Sequence, residues 1–362
     1  MERTGNWLKP HFPDTEVLFG IFSQESVIAG RYDKDLDVVN EIPVHVVGDW
    51  KVDQELNFRG GFEAGSEIDK EVYDRNIRAI TEEGQRKISS TAVGVVGVGG
   101  LGSIIAEQLV RLGVEDLIIV DPDSVEKSNL PRLQGATPEE VGRSKVEVIC
   151  EHLLSINPEA RVMPFESKAQ DASEELSRCD VLMAGLDDMN GRMYLNEFSV
   201  RHLIPLIDSG VRIGKDEQSV TEMRGLIQLI APGATSCFCC INRGDNQQAQ
   251  MDMMADEDLE ADVEDGYIDG SELAPEPAVV HLNGLISSKA VDEFVRMVTG
   301  IAEPDSLVEY KSFQNEFSSF NISCAEECSV CGQGDMLGRG NSLPDFPDLD
   351  GIEWEESSPA SD

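Results

Sequence analysis

From about Tyr73 onward, short apolar runs alternate with helical patterns along the chain. Ala92–Val96, Leu117–Val120, Val162–Phe165, Val181–Ala184 and Ile204–Ile207 are four or five residues long and rich in branched side chains. Runs of that length bounded by polar or glycine-rich stretches read as strands. The segments between them have helical spacing: in 144–156, Val146, Ile149, Cys150 and Leu153 fall on one face before Asn157-Pro158 ends the pattern. Strand–helix alternation predicts a mostly parallel sheet joined by right-handed crossovers, with helices on its faces. A long helix is expected from about Val279 to Val298, closing on Gly300. Ahead of this pattern, residues 1–70 carry only short apolar runs, Val17 to Phe22 and Val44 to Val47, and a loop signal at Arg59-Gly60-Gly61. They read as an N-terminal extension. Two further segments read as loosely held: 245–277, rich in Asp, Glu, Gln and Met, and the acidic tail 335–362. The domain expected to do the chemistry is therefore 71–334.

Charge changes the picture of partners. The 362 residues hold 69 acidic and 29 basic side chains, a formal net charge of −40. Such a surface repels nucleic acid phosphates and anionic lipid, so direct nucleic-acid or membrane binding is not expected. Acids spread through the folded part, with Arg outnumbering Lys, fit a salt-adapted, halophilic source. At molar salt the Debye length falls to about 3 Å and screens the self-repulsion. Residues 1–20 carry charges and two prolines without an apolar core, and the longest uncharged run, Ile88 to Ala106, is interrupted by glycines. Neither a signal peptide nor a membrane span is expected, and the location expected is cytoplasmic.

Within that uncharged run, Gly97-Val98-Gly99-Gly100-Leu101-Gly102 follows an apolar strand and opens the helix Ser103–Leu112. In that context the glycines allow a tight turn and let a phosphate approach a helix N-terminus. Asp121 ends the next strand, 24 residues after Gly97, where a carboxylate can accept hydrogen bonds from ribose hydroxyls. A nicotinamide-dependent oxidoreductase fits these features as well as a nucleotide triphosphate enzyme does. Further on come Ser128-Asn129-Leu130-Pro131-Arg132 and Gly142-Arg143-Ser144-Lys145. Arg132 can fork onto phosphate oxygens and Lys145 can supply a mobile point charge, which ATP needs and hydride transfer does not. Asp187 and Asp188, ending the fourth strand, offer a carboxylate for a hydrated magnesium ion.

These residues, taken in order with Arg75-Asn76-Ile77, Gly84-Gln85-Arg86, LDD with Arg192, DSGVRI and APG, resemble the ThiF/MoeB/HesA enzymes, the ubiquitin-activating-enzyme-like adenylyltransferases, over roughly residues 73–334. The resemblance implies a Rossmann-like domain in which Gly97, Gly99, Gly100 and Gly102 cradle ATP, Asp121 holds the ribose, Asn129, Arg132 and Lys145 contact the phosphates, and Asp187 positions Mg2+. It further implies a homodimer, because Arg75 stands where the family reaches the phosphates of ATP in the other subunit. The implied partner is a ubiquitin-like or sulfur-carrier protein ending in Gly-Gly. Two features depart from the pattern: the stretch from Arg75 to Gly84 is shorter than in the sulfur-carrier members, and Asp188 stands where Asn is usual. A non-catalytic nucleotide-binding adaptor on the same fold is the remaining alternative.

Eight cysteines without a disulfide-favouring context point to metal or redox chemistry. Cys237-Phe238-Cys239-Cys240 and Cys328-Ser329-Val330-Cys331 hold two C-x-x-C pairs, enough for a tetrahedral Zn2+ site with four thiolates at Cys237, Cys240, Cys328 and Cys331. Cys239 is the competing ligand. Four thiolates leave no open position, so the role expected is structural. Cys150 and Cys179 read as core residues. No cysteine lies between 241 and 323, where a thioester-forming member would carry its nucleophile. That leaves Cys239 and Cys324 as candidates for a reactive thiol and favours adenylylation alone.

Overall fold

The computed structural model describes residues 17–22, 27–32, 38–42, 68–216, 219–241, 277–332 and 336–340. The expected features at Val44–Val47 and Arg59–Gly61, nearly all of the acidic segment 245–277 and the tail beyond 340 lie outside them. In the N-terminal extension, β1 (Val17–Phe22), β2 (Val27–Tyr32) and β3 (Val38–Ile42) form an antiparallel three-stranded sheet with a register shift between Arg31 and Tyr32.

The main sheet is built as the alternation predicts. Its elements are α1 (Asp74–Ser90), β4 (Ala92–Val96), α2 (Gly102–Leu112), β5 (Asp116–Val120), α3 (Lys145–Ile156), β6 (Arg161–Phe165), α4 (Ser173–Leu176), β7 (Val181–Ala184), α5 (Met189–His202), β8 (Leu206–Lys215), β9 (Val220–Ile230), α6 (Phe238–Ile241), α7 (Val280–Thr299), β10 (Leu307–Lys311) and β11 (Glu316–Phe320). The eight strands lie in the order β11-β10-β9-β8-β7-β4-β5-β6. The run from β8 to β6 is parallel, while β9, β10 and β11 each pair antiparallel with their neighbours. The chain therefore runs outward from β4 to β6, then returns to the other side of β4 as β7. Such a reversal opens a crevice at the carboxyl ends of the strands, where ligands of α/β sheets bind.

Strands β4, β5 and β7 are buried along their whole length, as helices on both faces require. Side chains alternate across the sheet. On one face Val93, Val95, Leu117, Ile119, Val181 and Met183 pack under α2, α3 and α7, whose Ile105, Leu109, Ile149 and Phe294 are fully buried. On the other, Val96, Ile118, Val120, Leu182 and Ala184 pack under α4 and α5, with Cys237, Phe238 and Cys328 in the same cluster. Helix α7 ends as expected on Gly300, whose φ of 71° is left-handed. No helix among the described residues is long and apolar enough to cross a membrane.

Helix α1 explains the short spacing between Arg75 and Gly84. It is two helical pieces joined at Thr81, whose φ of 69° and ψ of 163° break the helix. The Thr81 hydroxyl accepts the Gly84 amide at 3.1 Å, restarting the helix with a threonine cap. One residue thus replaces a connecting loop.

Candidate functional site

The glycine loop leaves β4 at Gly97, where φ is +79°, a conformation a side chain would strain. At Gly102 a Cβ would sit 1.8 Å from the Gly97 carbonyl oxygen, so the turn closes only without one. Helix α2 starts there with no side-chain cap and no acid in its first turn. The amides of Ser103, Ile104 and Ile105 are already taken by the Gly99 and Leu101 carbonyls, so the site for anionic phosphate is the glycine loop itself, at the positive end of the α2 dipole.

Asp121, at the end of β5, braces the loop: one carboxylate oxygen accepts the Val98 amide at 2.9 Å and the other the Asp123 amide at 3.0 Å. Lys145, the first residue of α3, places its ammonium 2.7 Å from Asp123 Oδ2 and 3.6 Å from Asp121 Oδ1. Burial works against the charge of Lys145, yet Asp121, Asp123 and Asp187 outweigh it and hold the ammonium above its ordinary range. For Asp121 burial wins instead and raises the carboxyl, although Lys145 and the two backbone amides oppose it. The lysine is thus a full cation at neutral pH, buried, with an exposed acid as its nearest counter-ion. A polyanion entering the crevice competes with Asp123 for it.

Asn129 and Arg132 share one turn after Asp121. The Asn129 carboxamide accepts the Glu126 amide at 3.1 Å, and Arg132 donates to the Ser128 carbonyl at 2.7 Å. The arginine stem passes over Gly100: a Cβ there would lie 3.1 Å from Arg132 Cδ. Asp187 is exposed beyond β7, and its charge acts on Lys145. Arg192 fixes the backbone before it, donating from Nε and Nη2 to the Leu186 carbonyl at 3.0 and 2.7 Å, with Asp208 at 3.4 Å from Nη1. Asp188 accepts the Gly191 amide at 2.6 Å as the N-cap of α5. Asn and Asp serve equally there, which accounts for the departure from the usual Asn. Capping occupies Asp188 and leaves Asp187 as the acid facing the crevice.

The structure therefore brings together the glycine loop, Asp121, Arg132, Lys145 and Asp187. It does not bring Arg75 to them: that side chain is exposed on the first turn of α1, without an ion pair among the described residues. Sequence reasoning missed Asp123, the carboxylate nearest Lys145. Its one signal was position, two residues past Asp121 in a run already known to matter. It also missed Asn283 and Ser287 on α7. The Ser287 hydroxyl donates to the Leu101 carbonyl at 3.0 Å, locking α7 onto the glycine loop.

The second centre lies on the opposite face. Sγ atoms of Cys237, Cys240, Cys328 and Cys331 all lie within 4.8 Å of one another. Individual separations are 3.6 Å for Cys237 to Cys328, 3.4 Å for Cys240 to Cys331 and 3.9 Å for Cys237 to Cys240. A tetrahedral ion with bonds of about 2.3 Å to sulfur sets its ligands about 3.8 Å apart, so the four thiols fit such an ion as they stand. Cys239 is outside this set and accepts the Asn196 amide nitrogen at 3.6 Å, while Asn196 Oδ1 holds the Phe238 amide at 2.8 Å. The Ala325 amide donates to Cys240 Sγ at 3.5 Å, the kind of outer contact that supports a thiolate ligand. Cys150 and Cys179 are buried in the two cores, as expected.

The ThiF family model matches residues 73–330. Ubiquitin-like modifier-activating enzyme 5 of Drosophila ananassae is 32% identical over 221 residues, 54% of each chain, and that of Caenorhabditis elegans is 31% identical over 191 residues, 48% of this chain and 43% of the relative. The chain thus spans about half the length of these curated relatives or less. Among solved structures, E. coli MccB with ATP superposes with a TM-score of 0.57 at 21% identity, covering 72% of this chain and 74% of that one, and PaaA with a TM-score of 0.54 at 20% identity, covering 74% and 87%. With the family model matching residues 73–330, well over half of the chain and the whole of its glycine-loop sheet, the chain belongs to the ThiF family.

Proposed function

We propose that the chain catalyses ATP-dependent adenylylation of the C-terminal carboxylate of a ubiquitin-like or sulfur-carrier protein ending in Gly-Gly. The observation that carries this reading is Lys145, a buried cation held beside Asp121 and Asp123 at the mouth of a glycine loop. The names of the relatives point the same way: ubiquitin-like modifier-activating enzyme 5, and MccB solved with ATP and with MccA.

The carrier's carboxylate is already ionised near neutral pH, so the reaction needs no general base. Its oxygen attacks the α-phosphorus of ATP, a new P–O bond forms, the bond from that phosphorus to the bridging oxygen of the β-phosphate breaks, and pyrophosphate leaves with the electron pair. The protein supplies alignment and charge stabilisation. Amides of the glycine loop receive phosphate oxygens, Asp121 the ribose hydroxyls, and Asn129, Arg132 and Lys145 the phosphates. A magnesium ion at Asp187 would neutralise part of the phosphate charge. Arg75 acts across a homodimer on the partner's nucleotide, consistent with its exposed position on α1. Zn2+ held by Cys237, Cys240, Cys328 and Cys331 would tie the last segment to α6 and would take no part in the reaction.

ATP–pyrophosphate exchange dependent on a carrier with a free Gly-Gly end tests the proposal. Exchange that requires the carrier supports it; nucleotide binding without exchange across candidate carriers would instead identify a non-catalytic adaptor.

A further inference from the structure

Asn283 sits in the first turn of α7, 2% exposed, and its side-chain oxygen has no hydrogen-bond partner. Its amide nitrogen stands over the glycine loop: a Cβ at Gly100 would meet Asn283 Nδ2 at 2.3 Å, and the same Cβ would meet Arg132 Cδ at 3.1 Å and Cγ at 3.3 Å. Carboxamide and arginine stem therefore converge on one spot above Gly100.

An unpartnered buried carbonyl costs stability. The neighbours Leu282, Ile286 and Leu101 are buried and apolar, so a leucine at 283 would remove that cost. A polar group kept at a loss beside a phosphate loop calls for a role in another state of the site. Arg132 supplies it. Its guanidinium now donates to the Ser128 carbonyl and must turn toward phosphate when nucleotide binds. A half-turn of the Asn283 amide exchanges its nitrogen and oxygen, bringing an unused acceptor to the face the arginine stem occupies.

We infer that Asn283 is a positioning residue for adenylylation: it accepts a hydrogen bond from Arg132 in the nucleotide-bound state and so ties α7 to the phosphate site. The inference rests on the adenylylation reading. It assigns Asn283 no contact with the reacting atoms.

The test is a double-mutant cycle of Asn283→Leu and Arg132→Ala in the full chain, with carrier-dependent pyrophosphate exchange, affinity for a non-hydrolysable ATP analogue and thermal melting measured on each variant. Asn283→Leu is expected to melt no lower than wild type, yet to lose about tenfold in exchange kcat. Asn283→Gln, which keeps the acceptor, is expected to regain part of the rate. In an Arg132→Ala background, Asn283→Leu should add little further loss, because residues acting as a unit are not additive. Multiplying losses, or a full-rate Asn283→Leu variant, would overturn the inference. A wild-type chain that neither binds the analogue nor exchanges would instead fail the adenylylation reading itself, which separates the two.

Discussion

Replacing Lys145 by alanine tests two physical terms at once, and the structure gives both. Folding loses the pairings at 2.7 Å to Asp123 and 3.6 Å to Asp121. Asp123 is exposed and resolvates at little cost. Asp121 is buried, and stripping a buried acid of its cation typically costs about 3–5 kcal/mol. Two backbone amides still reach Asp121, and burial already favours its neutral form, so the expected loss is smaller, roughly 1–3 kcal/mol. Catalysis loses a phosphate cation, which by analogy with removing one preorganised donor costs about 10²–10³ in rate. Denaturant unfolding reads the first term and exchange kinetics, at a temperature where the variant is fully folded, reads the second. Asp123→Asn is the control: it frees Lys145 while keeping its charge, so its rate should stay within a few-fold of wild type. Full exchange activity in Lys145→Ala, or an Asp123→Asn loss as large as that of Lys145→Ala, would refute the assignment of Lys145 to the phosphates.

Asp180, which accepts the Ala92 amide at 2.9 Å, is raised by burial and by nearby Asp116 to about 6. Because the folded state holds that proton more tightly than the unfolded chain, stability from this group is present at low pH and is lost as pH rises from about 4 through about 6, by up to about 3 kcal/mol. Asp180→Asn keeps the acceptor without the charge, so its unfolding free energy should exceed that of wild type above pH 6 and converge with it near pH 4; parallel pH curves would count against this. Cys328→Ser should abolish one equivalent of zinc by metal analysis and lower the melting temperature, with ATP affinity nearly unchanged in the protein that remains folded; full zinc content in the variant would remove Cys328 from the ligand set. Mixing Arg75→Ala with Lys145→Ala subunits should restore one intact site per heterodimer and recover part of the exchange rate; no recovery under demonstrated subunit exchange would place Arg75 within its own chain.

The parallel half of the sheet was legible because burial on both faces leaves its mark in sequence: β4, β5 and β7 are apolar runs between glycine and acid. The antiparallel edge was not. Strand β9 mixes Glu222, Arg224 and Gln228 into its run, and Arg224 pairs with Glu222 at 2.8 Å and with Glu309 at 3.6 Å, a polar face without a clean alternation. The four-cysteine cluster was readable up to one choice, since spacing allows Cys239 and only the third dimension sets it apart. Asn283 carried no signal, because one polar residue on a long helix is ordinary until its neighbour across the fold proves to be Gly100.

Local charge, more than the total of −40, governs how this site meets ATP. The Debye length is about 8 Å at physiological ionic strength, so remote surface acids act weakly in the crevice. Within it, Lys145 and Arg132 face Asp121, Asp123 and Asp187, and Lys145 is already paired. One chain therefore offers no surplus of positive charge to a triphosphate. Its uncompensated attraction comes from the glycine loop and the dipole of α2, which carry partial charges only. A divalent ion at Asp187 would reverse the sign of that acid's contribution, and Arg75 of a second copy would add a cation whose side chain has no ion pair among the described residues of its own chain. The proposed magnesium ion and the proposed shared site thus answer one electrostatic shortfall, and under the proposed function adenylylation would depend on two copies of the chain coming together.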